Sequence, residues 1–141
     1  PLRLVGSEMC IRDRLQSVIY LQQFVPHEGA DLRILLVGRE VYAMRRRNPF
    51  DWRSNVSRGA TAEAYAPSDE QVAIARLAAK VVGADVAGVD LLPGCDGHLY
   101  AIEVNAVPGW QAISRATGVD IAARVIAMLE SDEAACRRDG S

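Results

Sequence analysis

Two runs of strand-forming residues, Val86–Leu92 and Leu99–Val104, are separated by a short segment that contains Asp96-Gly97. Asp-Gly is a preferred pair for a two-residue type I′ hairpin turn. With that turn, Cys95 faces His98, and continuing the ladder sets Asp90 opposite Glu103. Directly opposed side chains have Cβ atoms roughly 4.5–5.5 Å apart. Glu103 and Asn105 are two residues apart on one strand and so share a face. One turn therefore gathers Asp90, Glu103 and Asn105 at a single spot, provided that Pro93-Gly94 does not introduce a bulge and shift the register. Two opposed carboxylates repel, so either one of them takes up a proton or a cation sits between them. An all-oxygen set of Asp, Glu and Asn suits a hard cation, with Mg²⁺ and a phosphate completing the shell as the natural choice. The competing reading makes these residues solvated strand acids paired with lysine or arginine. The flanks favour the cation: Asp90 follows the apolar run Val86–Val89, and Glu103 sits between Ile102 and Val104.

The rest of the chain reads as one α+β domain with a mostly antiparallel sheet and packed helices. Strands are expected at Ser17–Val25 (stopped by Pro26), Asp31–Val37, Val41–Arg45 and near Ala62–Ala66, with Gly38-Arg39-Glu40 as a tight connection. Between them Arg46–Ala60 is polar and rich in turn formers, and loops of that length are usually functional or disordered. Ser68 and Gln71 form a capping box that opens a helix to about Val82, with Ile74, Leu77, Ala78 and Val81 on one face and Gly83 as the stop. Shorter helical patterns cover Gln111–Ala116 and Asp120–Leu129. Pro1–Arg14 has no periodicity and is expected to be a non-native or disordered leader. Residues 15–130 would then form the domain, and Ser131–Ser141 a fraying polar tail.

A formal net charge of −2 gives no electrostatic reason to expect nucleic acid or a membrane as partner. The apolar runs are too short to span a bilayer, and no secretory signal is visible. Cys10, Cys95 and Cys136 are odd in number and far apart, which fits reduced thiols and a cytoplasmic setting.

Several motifs taken together resemble one family. Ala87-Gly88-Val89-Asp90 followed by Ile102-Glu103-Val104-Asn105-Ala106-Val107-Pro108-Gly109 is similar to the metal-binding signature of ATP-grasp enzymes. Arg53-Ser54-Asn55, Arg58-Gly59-Ala60 and Ala116–Ala122 extend the likeness to the RimK-type subgroup, over about Val18 to Leu129. The resemblance implies the C-terminal half of an ATP-grasp domain in a ligase that joins glutamate to a carboxylate through an acyl phosphate. It implies ATP as co-substrate, Mg²⁺ (or Mn²⁺) as cofactor, a protein C-terminus or a small molecule as carboxylate acceptor, and a homo-oligomer as an expected assembly. By the same resemblance Gln23 and Phe24 would line the adenine, Asp31 the ribose, and Arg53, Ser54 and Asn55 the nucleotide and substrate. Asp90, Glu103 and Asn105 would hold the metal, and Arg46 (of Arg45, Arg46 and Arg47) and Arg53 would serve catalysis. Trp52 and Trp110 are expected to pack, and His27 and His98 carry no role. The family's phosphate-binding lysines lie upstream of the matched region. This chain has a single lysine, Lys80, within the first helical pattern, so the piece is expected to be inactive alone. Three other readings stay open: a glutamate ligase for a tetrahydromethanopterin-type cofactor precursor, suggested by Val107-Pro108-Gly109-Trp110; a non-catalytic nucleotide-binding module; and a plain structural domain.

Overall fold

The computed structural model describes residues 22–48 and 60–139, with side chains through 131. The leader, Arg53, Ser54, Asn55 and Trp52, and the strand expected up to residue 21 lie outside the described residues. Gln22–Val25, the described end of that expected strand, has no strand geometry. The sheet instead begins with β1 (Ala30–Val37), which turns through Gly38-Arg39 into β2 (Glu40–Arg47). Val37 pairs with Glu40, so the connection has two residues, and Gly38 takes a left-handed φ of 55° that only glycine adopts without cost. β2 runs two residues beyond its expected end, so Arg46 and Arg47 are strand residues rather than the start of a loop. Next come β3 (Thr61–Ala64), α1 (Asp69–Val82), β4 (Val86–Pro93), β5 (Leu99–Asn105), α2 (Gln111–Thr117) and α3 (Ile121–Asp139). α3 continues through most of the segment expected to fray.

The strand order is β3-β2-β1-β4-β5, with every pairing antiparallel. β1 is therefore central and covered on both faces, which is why six of its eight residues are buried. Alternation along β1 sorts two cores. Leu32, Ile34 and Leu36 face one way and pack with Ala43, Ala87, Val89, Leu91 and the α1 residues Ala75 and Ala79. Leu35 and Val37 face the other way, onto Met44, Ile113 of α2 and Ile121 of α3, with Trp110 packed beside them.

The capping box forms as expected: Gln71 N donates to Ser68 Oγ at 3.3 Å and Ser68 N donates to Gln71 Oε1 at 2.9 Å. The buried face of α1 is a different matter. Ala75 and Ala79 meet the sheet, flanked by Ile74 and Ala78, while Leu77 and Val81 are 63% and 78% exposed. Small residues let the helix axis sit close to the strands, so they take the contact and the larger side chains turn outward. Lys80 lies exposed in the last helical turn. Among the described residues no helix is long and apolar enough to cross a membrane.

Candidate metal and nucleotide site

The sheet face on which α2 and α3 pack also carries a group of charged side chains, most of them buried. Asp31 and Arg33 alternate with the buried Leu32 on β1 and so share the face of Leu35 and Val37. Register places Asp31 opposite Arg46 of β2, and Arg33 opposite Asp90 of β4. Asp90 in turn stands opposite Glu103 of β5, and Gly88 opposite Asn105. Six polar side chains from four strands thus occupy one face.

Their contacts form a chain of charge. Arg46 Nε and Nη2 donate to Asp31 Oδ1 and Oδ2 at 2.6 and 2.7 Å. Arg46 Nη2 also lies 2.8 Å from Asp90 Oδ2. Arg33 Nε and Nη2 donate to Asp90 Oδ1 and Oδ2, both at 2.7 Å. Asp31, Arg46 and Asp90 are all buried, and among the described residues two carboxylates (Asp31 and Asp90) pair with two guanidiniums. Burial by itself pushes the Asp90 carboxyl up. The hydrogen bonds from Arg33 and the charges of Arg46 and Arg33 outweigh it and hold the group below the usual carboxylate range. Burial likewise opposes the Arg46 charge, but the Asp31 hydrogen bonds and the Asp90 and Asp31 carboxylates raise its pKa. Glu103 differs from its neighbours: it is exposed, and its carboxylate makes no hydrogen bond or ion pair among the described residues.

The hairpin that builds this arrangement is not the two-residue turn read from the sequence. Gly94 N donates to His98 O at 2.8 Å and Gly97 N to Gly94 O at 3.1 Å, with Gly97 at φ 80°. That is a three-residue loop closed by a left-handed glycine. It pairs Pro93 with Leu99 and Leu91 with Ala101, one residue out of the expected register. A bulge between Asp90 and Leu91 then leaves Ile102 as the extra residue on β5 and restores the Asp90–Glu103 pair. The two offsets cancel. Bulges beside functional sites re-aim side chains, and here the bulge sets Glu103 and Asn105 on the Asp90 face.

The turn after β5 is fixed by packing. Asn105 Oδ1 accepts from Val107 N at 2.9 Å, which carries the chain to the buried Pro108. A Cβ on Gly88 would lie 2.8 Å from Pro108 Cβ. Gly88→Ala is therefore expected to destabilise by about 1–3 kcal/mol, the usual range for overpacking, and to disturb the Asn105 turn directly opposite. Chemical denaturation checks it, and a change under 0.5 kcal/mol would show that the proline is free to give way.

The structure separates the remaining candidates. Of the three consecutive arginines only Arg46 lies on the charged face. Arg45 is exposed and pairs with Glu63 of β3, and Arg47 is exposed. Asp31 turns both carboxylate oxygens to Arg46. Gln23 and Phe24 are exposed on the segment leading to β1, with the Phe24 ring 5.9 Å from that of His27. That segment reaches the β4–β5 loop through a bond from Cys95 N to Pro26 O at 2.8 Å. Arg33 is the residue that sequence reasoning missed; its signal was a charge two positions from Asp31 inside an otherwise apolar strand. No group of three His, Cys, Asp or Glu side chains that could hold a metal occurs among the described residues, so a cation held here would need the amide oxygen of Asn105 as well as the two carboxylates. Two carboxylates and an amide oxygen fit a hard divalent cation, and Asn105 Oδ1 keeps a lone pair beyond its bond to Val107.

Residues 7–129 match the family model of the RimK-like ATP-grasp domain. This chain belongs to the RimK-like ATP-grasp family. It is 47% identical over 115 residues to a probable alpha-L-glutamate ligase of Aeromonas salmonicida, covering 79% of this chain and 38% of the relative. To the ribosomal protein bS6--L-glutamate ligase of Escherichia coli O139:H28 it is 40% identical over 119 residues, covering 82% of this chain and 39% of the relative. The RimK-like chain thus spans about two fifths of the length of these curated relatives. Among solved structures, the ATP-grasp ligase PsnB complexed with a precursor variant, Mg and ADP superposes with a TM-score of 0.59 at 26% identity, covering 74% of this chain and 32% of that one. A RiPP-associated ATP-grasp ligase of Chryseobacterium gregarium shares the fold at the same TM-score and 23% identity, over 79% of this chain and 35% of that one.

Proposed function

We propose that this chain supplies the cation-holding part of the Mg-ATP site in an ATP-dependent carboxylate–amine ligase that adds glutamate to a carboxylate. The observation that carries the reading is the convergence of Asp90, Glu103 and Asn105 on one sheet face beside two guanidiniums. The names of the relatives support glutamate as the amine, and that of the bS6 ligase supports a protein as acceptor over a cofactor precursor. PsnB, complexed with Mg and ADP, supports the nucleotide and the metal. With ATP as co-substrate, the reaction belongs in the cytoplasm.

In such a ligase the acceptor carboxylate attacks the γ-phosphoryl of ATP, ADP leaves, and the glutamate amine displaces phosphate from the acyl phosphate. Bound Mg²⁺ would offset charge on the phosphates during transfer. Glu103 and Asn105 would hold it through a carboxylate and an amide oxygen, and Asp90 would add a carboxylate anchored by arginine. Arg46, fixed by Asp31, sets a permanent positive charge beside the site, where preorganised groups stabilise developing negative charge without reorganising. Arg53, Ser54 and Asn55 complete the proposed contacts to nucleotide and substrate, and Gln23, Phe24 and Asp31 those to adenine and ribose.

The test uses the whole protein with ATP, Mg²⁺, glutamate and a peptide with a free C-terminal carboxylate. The expected result is ADP release that requires glutamate, with the peptide gaining mass in glutamate-residue steps. ATP turnover indifferent to glutamate would overturn the amine assignment, and nucleotide binding with no turnover would return the chain to a binding module.

A further inference from the structure

Asp90 is crowded before any cation arrives. A carboxylate offers about four lone-pair positions. Arg33 takes one on Oδ1 and one on Oδ2, and Arg46 takes another on Oδ2. The side chain is only 5% exposed, so little of it faces solvent. A Mg²⁺ ion on the remaining position would sit roughly 2.0–2.1 Å from the oxygen. It would then lie within a few ångströms of a guanidinium already bonded to the same carboxylate, and two cations so close repel strongly in a partly buried site.

The two arginines are not equally free to move. Arg46 is gripped by both oxygens of Asp31, and its side chain is 7% exposed. Arg33 has Asp90 as its sole side-chain partner among the described residues and is 16% exposed. Resting on the metal reading above, we propose that Arg33 is a displaceable plug on the cation site. In the cation-free protein it occupies Asp90, it leaves when the cation binds, and Arg46 stays tied to Asp31. A guanidinium released at that spot has lost its carboxylate and faces the phosphate that accompanies the cation, which it can take through two parallel hydrogen bonds. Arg33 is thus a positioning residue: it keeps Asp90 neutralised until the nucleotide arrives, then exchanges one anion for another.

A plug taxes cation affinity by the fraction of molecules in which it is out of the way. If the unplugged form is at most about a tenth of the population, removing the plug should tighten binding about tenfold or more. The experiment measures Mn²⁺ binding to the whole protein without nucleotide, from the paramagnetic resonance signal of free Mn²⁺. Arg33→Gln should bind Mn²⁺ about tenfold more tightly than wild type; removal of a nearby positive charge contributes to that gain, so the charge-keeping variant decides whether displacement does too. Arg33→Lys, which keeps the charge but not the fork, should bind with intermediate affinity and serves alone if Arg33→Gln does not fold. Wild-type or weaker affinity in the folded variants overturns the plug. Glu103→Gln separates the two readings: retention of Mn²⁺ binding in that variant overturns the metal site itself, whereas its loss with no gain from Arg33 substitution overturns only the plug.

Discussion

Glu103→Gln in the whole protein is expected to lower glutamate-dependent ADP release by about 10²–10³-fold, the usual loss when one preorganised electrostatic group is removed from a reaction centre. The substitution keeps volume and hydrogen-bonding atoms and removes one negative charge. Glu103 is exposed and unbonded among the described residues, so the fold asks nothing of its charge. The expected stability change is accordingly about 0.5 kcal/mol or less. Relief of its repulsion with Asp90 adds little, because Arg33 and Arg46 already neutralise that neighbour. Turnover and stability should therefore separate. ADP release measured across a Mg²⁺ titration for both proteins decides the matter. Equal rates with equal Mg²⁺ dependence would remove Glu103 from the site.

How much of this was legible in advance depends on sequence distance. The pairing of Asp90 with Glu103 was readable because one short turn connects them. The route was wrong in detail: Gly97 closes a three-residue loop, and the bulge at Asp90/Leu91 returns the register. Nothing in Ile102 as an amino acid marks it as the bulged residue. The capping box and the Gly83 stop were local signals and appear where expected. The buried face of α1 was not, since the pattern favoured Leu77 and Val81 while close approach to the sheet favoured Ala75 and Ala79. Arg33 was hidden for another reason. Its partner lies 57 residues away, and the register that joins β1 to β4 is fixed by the packing of both faces rather than by any turn. An arginine within Leu32–Val37 looks like an intrusion until β4 delivers a carboxylate opposite it.

Arg46→Met should produce the largest loss of stability of any single change at this site, about 3–5 kcal/mol, as when one partner is removed from a buried ion pair. Methionine keeps most of the apolar stem, so the loss isolates the guanidinium. Without it Asp31, 3% exposed, loses the guanidinium that meets both of its oxygens, and among the described residues Asp90 keeps only Arg33. Arg45→Met, one position away on the same strand, is the internal contrast. Its pair with Glu63 is exposed at both ends, and such pairs contribute only about 0.2–1 kcal/mol. The pH dependence gives a second reading. Asp90 is held below the ordinary carboxyl value of about 3.9, so its contribution is complete above that pH and is lost as pH falls through the lower folded value. The gap between wild type and Arg46→Met should therefore be widest near neutrality and should narrow below about pH 4. Urea unfolding of the three proteins at neutral and acid pH measures both effects. If Arg46→Met costs no more than Arg45→Met, or if its cost is the same in acid, the Asp31–Arg46–Asp90 chain is not what holds this face together.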